Sequence, residues 1–350
     1  MTSSNIRLST NDKISIISDL STMLISGISI LEAIDSLLED AKGKEKKVLE
    51  VFLANLQQGL PLYVSMQHFP NTFDPVTVSL VKASEEAGTL DTVLADLAEN
   101  IQKEAEFADT IKSALAYPIF VMIIFVAVFL LMLVFVVPRI STVFSRLNVD
   151  LPLATRVIIY MSDFLMNYTI FVIGFFAIVI GALVILYRTR REILLSILFS
   201  IPHISGLIRQ IDLARLSRNL YLLLNSGLTI TSALELTEGV VLKGEVKNAI
   251  IESKEEIISG HRLSAAFKKH KDIFPPLMIR MIETGEKTGT LEKSLQHTHK
   301  YMTYHVSKKL KQFTTLFEPV MLVVVGGVIG GMMLAIIAPI YNIIGQVASR

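Results

Sequence analysis

Two kinds of apolar pattern alternate along the chain. In the first, apolar residues recur every three or four positions: Leu20, Leu24 and Ile28; Leu220, Leu224 and Leu228; Val93, Leu94, Leu97 and Ile101. This spacing puts them on one side of a helix and predicts amphipathic helices. No period-2 run of strand length occurs. In the second kind the apolar run is unbroken. Ile119 to Val137 and Thr169 to Tyr187 carry no charge, and a third uncharged run from Pro319 stays apolar to about Ile344. Each is close to or beyond the about 20 residues that cross a bilayer. Ile193 to Ile208 is apolar but short, contains Pro202 and Gly206, and follows Arg188, Arg190 and Arg191, which predicts an interfacial segment.

The pattern repeats itself. Ser26-Gly27-Ile28-Ser29-Ile30 recurs as Ser226-Gly227-Leu228-Thr229-Ile230, and from Gly59 onward an offset of 201 holds without a gap. It pairs Glu85-Glu86-Ala87-Gly88-Thr89-Leu90 with Glu286-Lys287-Thr288-Gly289-Thr290-Leu291, Pro118 with Pro319, and Pro138 with Pro339. The expected fold class is an all-α membrane protein: two duplicated cytoplasmic helical bundles plus three transmembrane helices. The expected divisions are a first bundle over 1–117, a span over 118–137, an external loop over 138–168 and a second span over 169–187. An interfacial segment with the second bundle follows over 188–318, then a third span over 319–344 and an external tail over 345–350. Two copies in one orientation need a returning helix between them, which the second span supplies.

Charge supports the same topology. Lys103 and Lys112 precede the first span, Arg188, Arg190 and Arg191 follow the second, and Lys308, Lys309 and Lys311 precede the third. By the positive-inside rule the N-terminus and both large polar regions are cytoplasmic and the C-terminus is external. Composition agrees: 51% of 350 residues are hydrophobic, 19% are charged, and the mean hydropathy is +0.54. The polar N-terminus gives no expectation of a secretory signal peptide. The halves differ in sign. Residues 1–117 carry 9 Lys+Arg against 17 Asp+Glu, net −8, and residues 188–318 carry 20 against 13, net +7. Either this is solvated surface, or the halves dock on different partners, or the acidic half docks on the basic one, in the same chain or a neighbour; Lys268, Lys269 and Lys271 are candidates for a salt-sensitive contact.

Candidate chemistry is sparse. There is no cysteine, which removes disulfides, thiolate metal sites and Cys nucleophiles, and the Gly-rich nucleotide loops and the nucleophile-elbow motif are missing. No catalytic residue, cofactor or metal site is expected. His297 and His299 are two apart, so their rings diverge, and solvent-facing histidines are expected. Glu85, Glu86 and Asp91 could hold a hard cation only if a dimer brought them together. The spans hold no Asp, Glu, Lys, Arg or His, which argues against a transporter, the alternative function class. Gly326, Gly327, Gly330 and Gly331 form overlapping G-x-x-x-G pairs for helix packing, within the chain or between protomers. The repeated Glu-x-x-Gly-Thr-Leu element reads as a hinge: Gly88 and Gly289 in the left-handed region, then Thr89 and Thr290 as N-caps. Ser29 with Glu32, and Ser232 with Glu235, resemble capping boxes, and Asp74-Pro75 reads as N-cap and first helical residue. Glu85 and Glu286 either reach back to backbone amides at the hinge or face a partner. Ser84 stands where the second copy has Gly285, so the two hinges are not expected to be equivalent.

These elements, in this order, resemble the type II secretion system F-domain family, the GspF/PilC inner-membrane platform proteins of type II secretion, type IV pilus and competence machines. The resemblance rests on Ser26-Gly27 and Ser226-Gly227, Glu85-x-x-Gly88-x-Leu90 and Glu286-x-x-Gly289-x-Leu291, Ala116-Tyr117-Pro118, Glu318-Pro319, and Leu151-Pro152-Leu153-Ala154-Thr155-Arg156. It covers nearly the whole chain. It implies a multi-pass bacterial inner-membrane protein, a homo-oligomer in contact with membrane lipid and not directly with nucleic acid. Its implied partners are a hexameric cytoplasmic assembly ATPase, pilin or pseudopilin subunits and other inner-membrane components, with ATP hydrolysis left to the ATPase.

Overall fold

Caps and glycines in the sequence set where the helices start and stop. The computed structural model describes residues 6–147, 152–168 and 202–348, with isolated positions 171, 174, 178 and 181. The described residues are helical, with no strand among them. Helix α1 (Thr10–Ile25) starts at a capping box, Ser9 with Asp12. Helix α2 (Ile30–Asp40) is capped by the Ser29 hydroxyl, which accepts from the Glu32 amide. Then come α3 (Gly43–Gln57), α4 (Leu62–Gln67) and α5 (Pro75–Ala87), where Asp74 caps and Pro75 occupies the first turn. Helix α6 (Leu90–Leu131) leads through a π-helical turn (Met132–Val136) into α7 (Val137–Leu147), and α8 is Leu153–Asn167.

The second half runs α9 (Pro202–Asn225), α10 (Ile230–Glu238), α11 (Gly244–Ile258), α12 (Leu263–Lys269), α13 (Pro276–Thr288) and α14 (Leu291–Ala348). Helices α11 to α14 begin at Gly244, Leu263, Pro276 and Leu291, each 201 residues after Gly43, Leu62, Pro75 and Leu90. At the start of α10 the cap is Thr229, whose side chain accepts from the Ser232 amide. Ser232, expected as the cap, is therefore one turn inside the helix. Gly206 does not break the chain either: α9 runs through it.

Two compact units emerge from the contacts: Met1–Thr110 with Pro202–Ser307, and Ile111–Ile201 with Lys308–Arg350. In the first, one apolar core runs through both halves, from Ile16, Phe52 and Phe73 to Leu216, Phe267 and Phe274. The α5 helix packs on α9 and α10. Val76, Leu80, Leu97 and Ile101, which line this junction, are 3–5% exposed. Apolar burial, which salt does not screen, shares this junction with the pairing of Glu104 from the acidic half and Arg218 from the basic half, at 2.7 Å. Of the three candidate lysines, Lys269 pairs with Glu256 inside the second half, at 2.6 Å.

The second unit contains the apolar stretches. Two helices are long and apolar enough to cross a membrane, within Leu90–Phe144 and Leu291–Ile337. Neither starts at its proline. Pro118 lies inside α6, and α14 runs through Pro319 and Pro339 to Ala348, past the expected end at 344. The second span, over 169–187, and the interfacial stretch before Pro202 fall almost wholly outside the described residues. Residues 138–168, expected as a loop, are largely helical as α7 and α8.

The α8 helix has a specific task. A proline cannot donate to the carbonyl four residues earlier. Ahead of Pro138 the helix widens, and the Val137 amide reaches back to Met132, so the Leu133 carbonyl loses its usual donor. The Ser162 hydroxyl donates to that carbonyl at 2.6 Å. Pro339 likewise leaves the Ala335 carbonyl without a donor, and the Thr155 hydroxyl donates to it at 2.6 Å. Both hydroxyls are buried, beside a small core of Leu133, Val137 and Met332. Ser162→Ala and Thr155→Val are each expected to cost about 0.6–2 kcal/mol. Thermal unfolding of the full chain in detergent should show the two losses. Wild-type stability in the double variant would refute this role.

Candidate functional site

The repeated glutamates are resolved by a short helix that lacks a cap of its own. Residue Pro61 precedes α4 and offers no side-chain oxygen to the free amides of its first turn. Glu85, one turn before the end of α5, supplies the acceptor: its carboxylate takes the Leu62 amide at 2.6 Å and the Tyr63 amide at 2.9 Å. The second half repeats this. Glu286 accepts from the Ser264 amide at 3.3 Å and from the Ser264 hydroxyl, at the start of α12. Of the two alternatives for these glutamates, the backbone one is realised, but at the neighbouring short helix. A negative charge at a helix N-terminus is also favoured by the helix dipole.

The glycines of the element make the geometry possible. Gly88 and Gly289 have φ of +70° and +71° and close α5 and α13, so Leu90 and Leu291 can turn back against the core. Gly27 and Gly227 do the same after α1 and α9, at φ +84° and +83°. A side chain added at Gly326, Gly327, Gly330 or Gly331 meets no atom within 4 Å. Asp212, fully buried, is a further distant cap: it accepts from the Leu242 and Lys243 amides at 3.0 and 2.8 Å. Burial pushes its carboxyl up, against those amide bonds.

A second cluster, not foreseen in the sequence, sits where the halves meet. A cleft of about 470 Å³ is lined by Glu104 and Phe107 of α6, Arg215 and Arg218 of α9, and His299 and Tyr304 of α14. Glu104 accepts from Arg218 at 2.7 Å and lies 3.8 Å from Arg215. Burial works to raise its carboxyl, but Arg218 and then Arg215 outweigh it and hold the group below the usual carboxylate range. His299 does not face solvent as expected. Its Nδ1 lies 3.0 Å from the Ala214 carbonyl, and burial, reinforced by the positive Arg218, lowers its pKa below the ordinary 6.5. Nothing in the repeat marks these residues, because the first-half counterpart of His299 is Ala98 and those of Arg215 and Arg218 are Ser15 and Ser18.

The His299 shift has a sign that can be tested. Below 6.5 the unfolded chain binds a proton that the folded chain resists, so this contribution is complete above that pH and is lost as pH falls below it. The thermal midpoint should drop between pH 7.5 and 5.5, and His299→Asn should flatten part of that slope. An unchanged slope would show that His299 is not the group responsible. Among the described residues no three of His, Asp and Glu converge as a metal set.

The chain matches known proteins along nearly its whole length. The family described as "Type II secretion system (T2SS), protein F" matches twice, at residues 16–138 and 216–339. The "Type IV pilus assembly protein PilC" of Thermus thermophilus is 29% identical over 336 residues, covering 94% of this chain and 82% of that protein. The "Type II secretion system protein F" of Pseudomonas aeruginosa is 28% identical over 341 residues, covering 96% and 84%. The "Type IV pilus assembly protein PilC" of Myxococcus xanthus is 28% identical over 329 residues, covering 93% and 79%.

Proposed function

The chain belongs to the type II secretion system protein F family, and from that premise we propose that it is the inner-membrane platform of a type IV pilus or type II secretion machine. The observation that carries this is the double family match in a chain whose two apolar helices each follow a matched polar helical region. The platform is a duplicated protein with three spans, both halves in the cytoplasm, the N-terminus inside and the C-terminus outside. The paired helix starts and the distribution of Lys and Arg support that arrangement. Its partners are a hexameric assembly ATPase on the cytoplasmic side and pilin-like subunits in the membrane. It takes no part in ATP hydrolysis. The glycine pairs of α14 supply a face for contact between protomers.

The capping glutamates hold the hinges rigid enough to present a surface, and the shared apolar core, with Glu104 paired to Arg215 and Arg218, holds the two halves as one body. Purified protein in liposomes separates this reading from a transporter. Recruitment of the assembly ATPase without solute flux is the expected result. Flux of a solute without the ATPase would overturn it. Reporter fusions after Lys112 and Lys311 should read cytoplasm and one near Val149 the outside; an outside signal after Lys311 would contradict the parallel duplication.

A further inference from the structure

We propose that the tip of the first half, where the α1–α2 turn, the start of α4 and the α5–α6 hinge meet, docks a soluble partner segment that carries an apolar side chain flanked by lysine or arginine. This rests on the platform reading and adds the place and chemistry of one contact. Among the described residues up to Thr110, the large apolar side chains left exposed are Ile25, Leu31 and Leu60, at 60%, 41% and 39%. Single exposed apolar residues are ordinary, but these gather at one end. Ile25 and Leu60 adjoin Leu24 and Pro61, which line a groove of about 450 Å³ with Glu85, Gly88, Leu90 and Asp91. Leu31 stands on the first turn of α2, just across the Ser26-Gly27 turn.

The duplication supplies an internal control. At the same places in the second half stand Asn225, Thr231 and His261, with Arg262 for Pro61, while Leu224, Glu286, Gly289 and Leu291 are kept as counterparts of Leu24, Glu85, Gly88 and Leu90. The same local fold thus forms with polar residues at these positions, so folding does not require the apolar ones. The second half exposes Ile258 beside the equivalent turn, at 68%, whereas the first half gathers three such side chains there, and that cluster points to something that covers it. Charge selects the occupant. Glu85 is committed to the amides of α4; the Asp91 carboxylate at the groove accepts only from its neighbour Thr92 among the described residues, and the exposed Glu86 meets Lys82 at 3.9 Å, on a half that carries net −8. An apolar anchor in the groove with basic neighbours at the rim satisfies both features.

Grafting the second-half residues, Ile25→Asn, Leu31→Thr and Leu60→His, tests this in the full chain. The triple variant should reach wild-type levels in the membrane with an unchanged unfolding temperature, and filament or secretion output should fall at least about tenfold. A photo-crosslinking residue placed at Ile25 or Leu60 in otherwise wild-type protein needs no stable variant. It should join a soluble protein at a peptide with Lys or Arg beside the labelled position, and the same residue at Asn225 or His261 should not. Normal output from a well-folded triple variant would overturn the proposal. So would equal adducts from both halves, or adducts only to lipid or to a second copy of this chain. If deleting the whole chain also leaves output intact, the platform reading fails; if deletion abolishes output and the triple variant does not, only the docking surface is wrong.

Discussion

Replacing Glu85 with alanine is expected to destabilise the first unit by about 2–3 kcal/mol, because it strips the acceptor from two amides at the start of α4. Leu62 is fully buried, so water cannot take over at its amide. The α4 helix has only six residues and no capping side chain at Pro61, so it has no second source of acceptors. Glu286→Ala should cost less, about 1–2 kcal/mol, since Glu286 holds one amide, at 3.3 Å, and a hydroxyl that can find another partner. Glu85→Gln keeps an acceptor and should fall between alanine and wild type. Thermal unfolding of the purified full chain measures all three. If Glu85→Ala unfolds at the wild-type temperature yet abolishes function, the residue acts on a partner and its capping is incidental.

The second large effect comes from the one place where the duplicated hinges differ. Gly285 is buried, and a Cβ built on it would stand 2.5 Å from Ser294 Oγ, 2.7 Å from Ser294 Cβ and 3.0 Å from Leu291 Cα. Two of these atoms cannot rotate away, so α13 and α14 would have to separate. Ser84, its counterpart, is buried without strain and donates its hydroxyl to the Val81 carbonyl at 2.8 Å. Gly285→Ser, which copies the first half into the second, is expected to cost about 1–3 kcal/mol by overpacking. Ser84→Gly should cost only about 1 kcal/mol, the penalty of glycine within a helix. Adding Ser294→Gly should restore part of the loss in Gly285→Ser. Equal effects of the two exchanges would mean that the hinges pack alike after all.

Where the information was local, the sequence was a good guide. Asp74-Pro75, Ser29 and the glycines at 27, 88, 227 and 289 act through bonds to residues within one turn, and each sits where its own chemistry puts it. Ser232 misled because Thr229, three residues earlier, is an equally good cap and stands at the true boundary. The reach of Glu85 to α4 crosses 23 residues, and only the folded hairpin brings the two together. His299 was misplaced for a related reason: what buries it is α9, more than 80 residues away in sequence. The role of α8 was hidden too. Pro138 and Pro339 announce two carbonyls without donors, but nothing in a run of residues says that Ser162 and Thr155 will answer them.

The same distinction governs the candidate site. The paired Glu-x-x-Gly elements were visible as a repeat, while the cluster of Glu104, Arg215, Arg218 and His299 draws on three distant segments and has no counterpart in the other copy. Repetition reveals what both halves need in order to fold. What one half does alone shows only when equivalent positions are compared on the structure.

The most direct test of the platform role is an in-frame deletion in the organism that carries the chain, with surface filaments and secreted protein counted before and after. Loss of both filament formation and the secretion that depends on it, with pilin-like subunits retained in the membrane and output restored by the wild-type chain, is the expected result. Undiminished filaments and secretion in the deletion strain would contradict it.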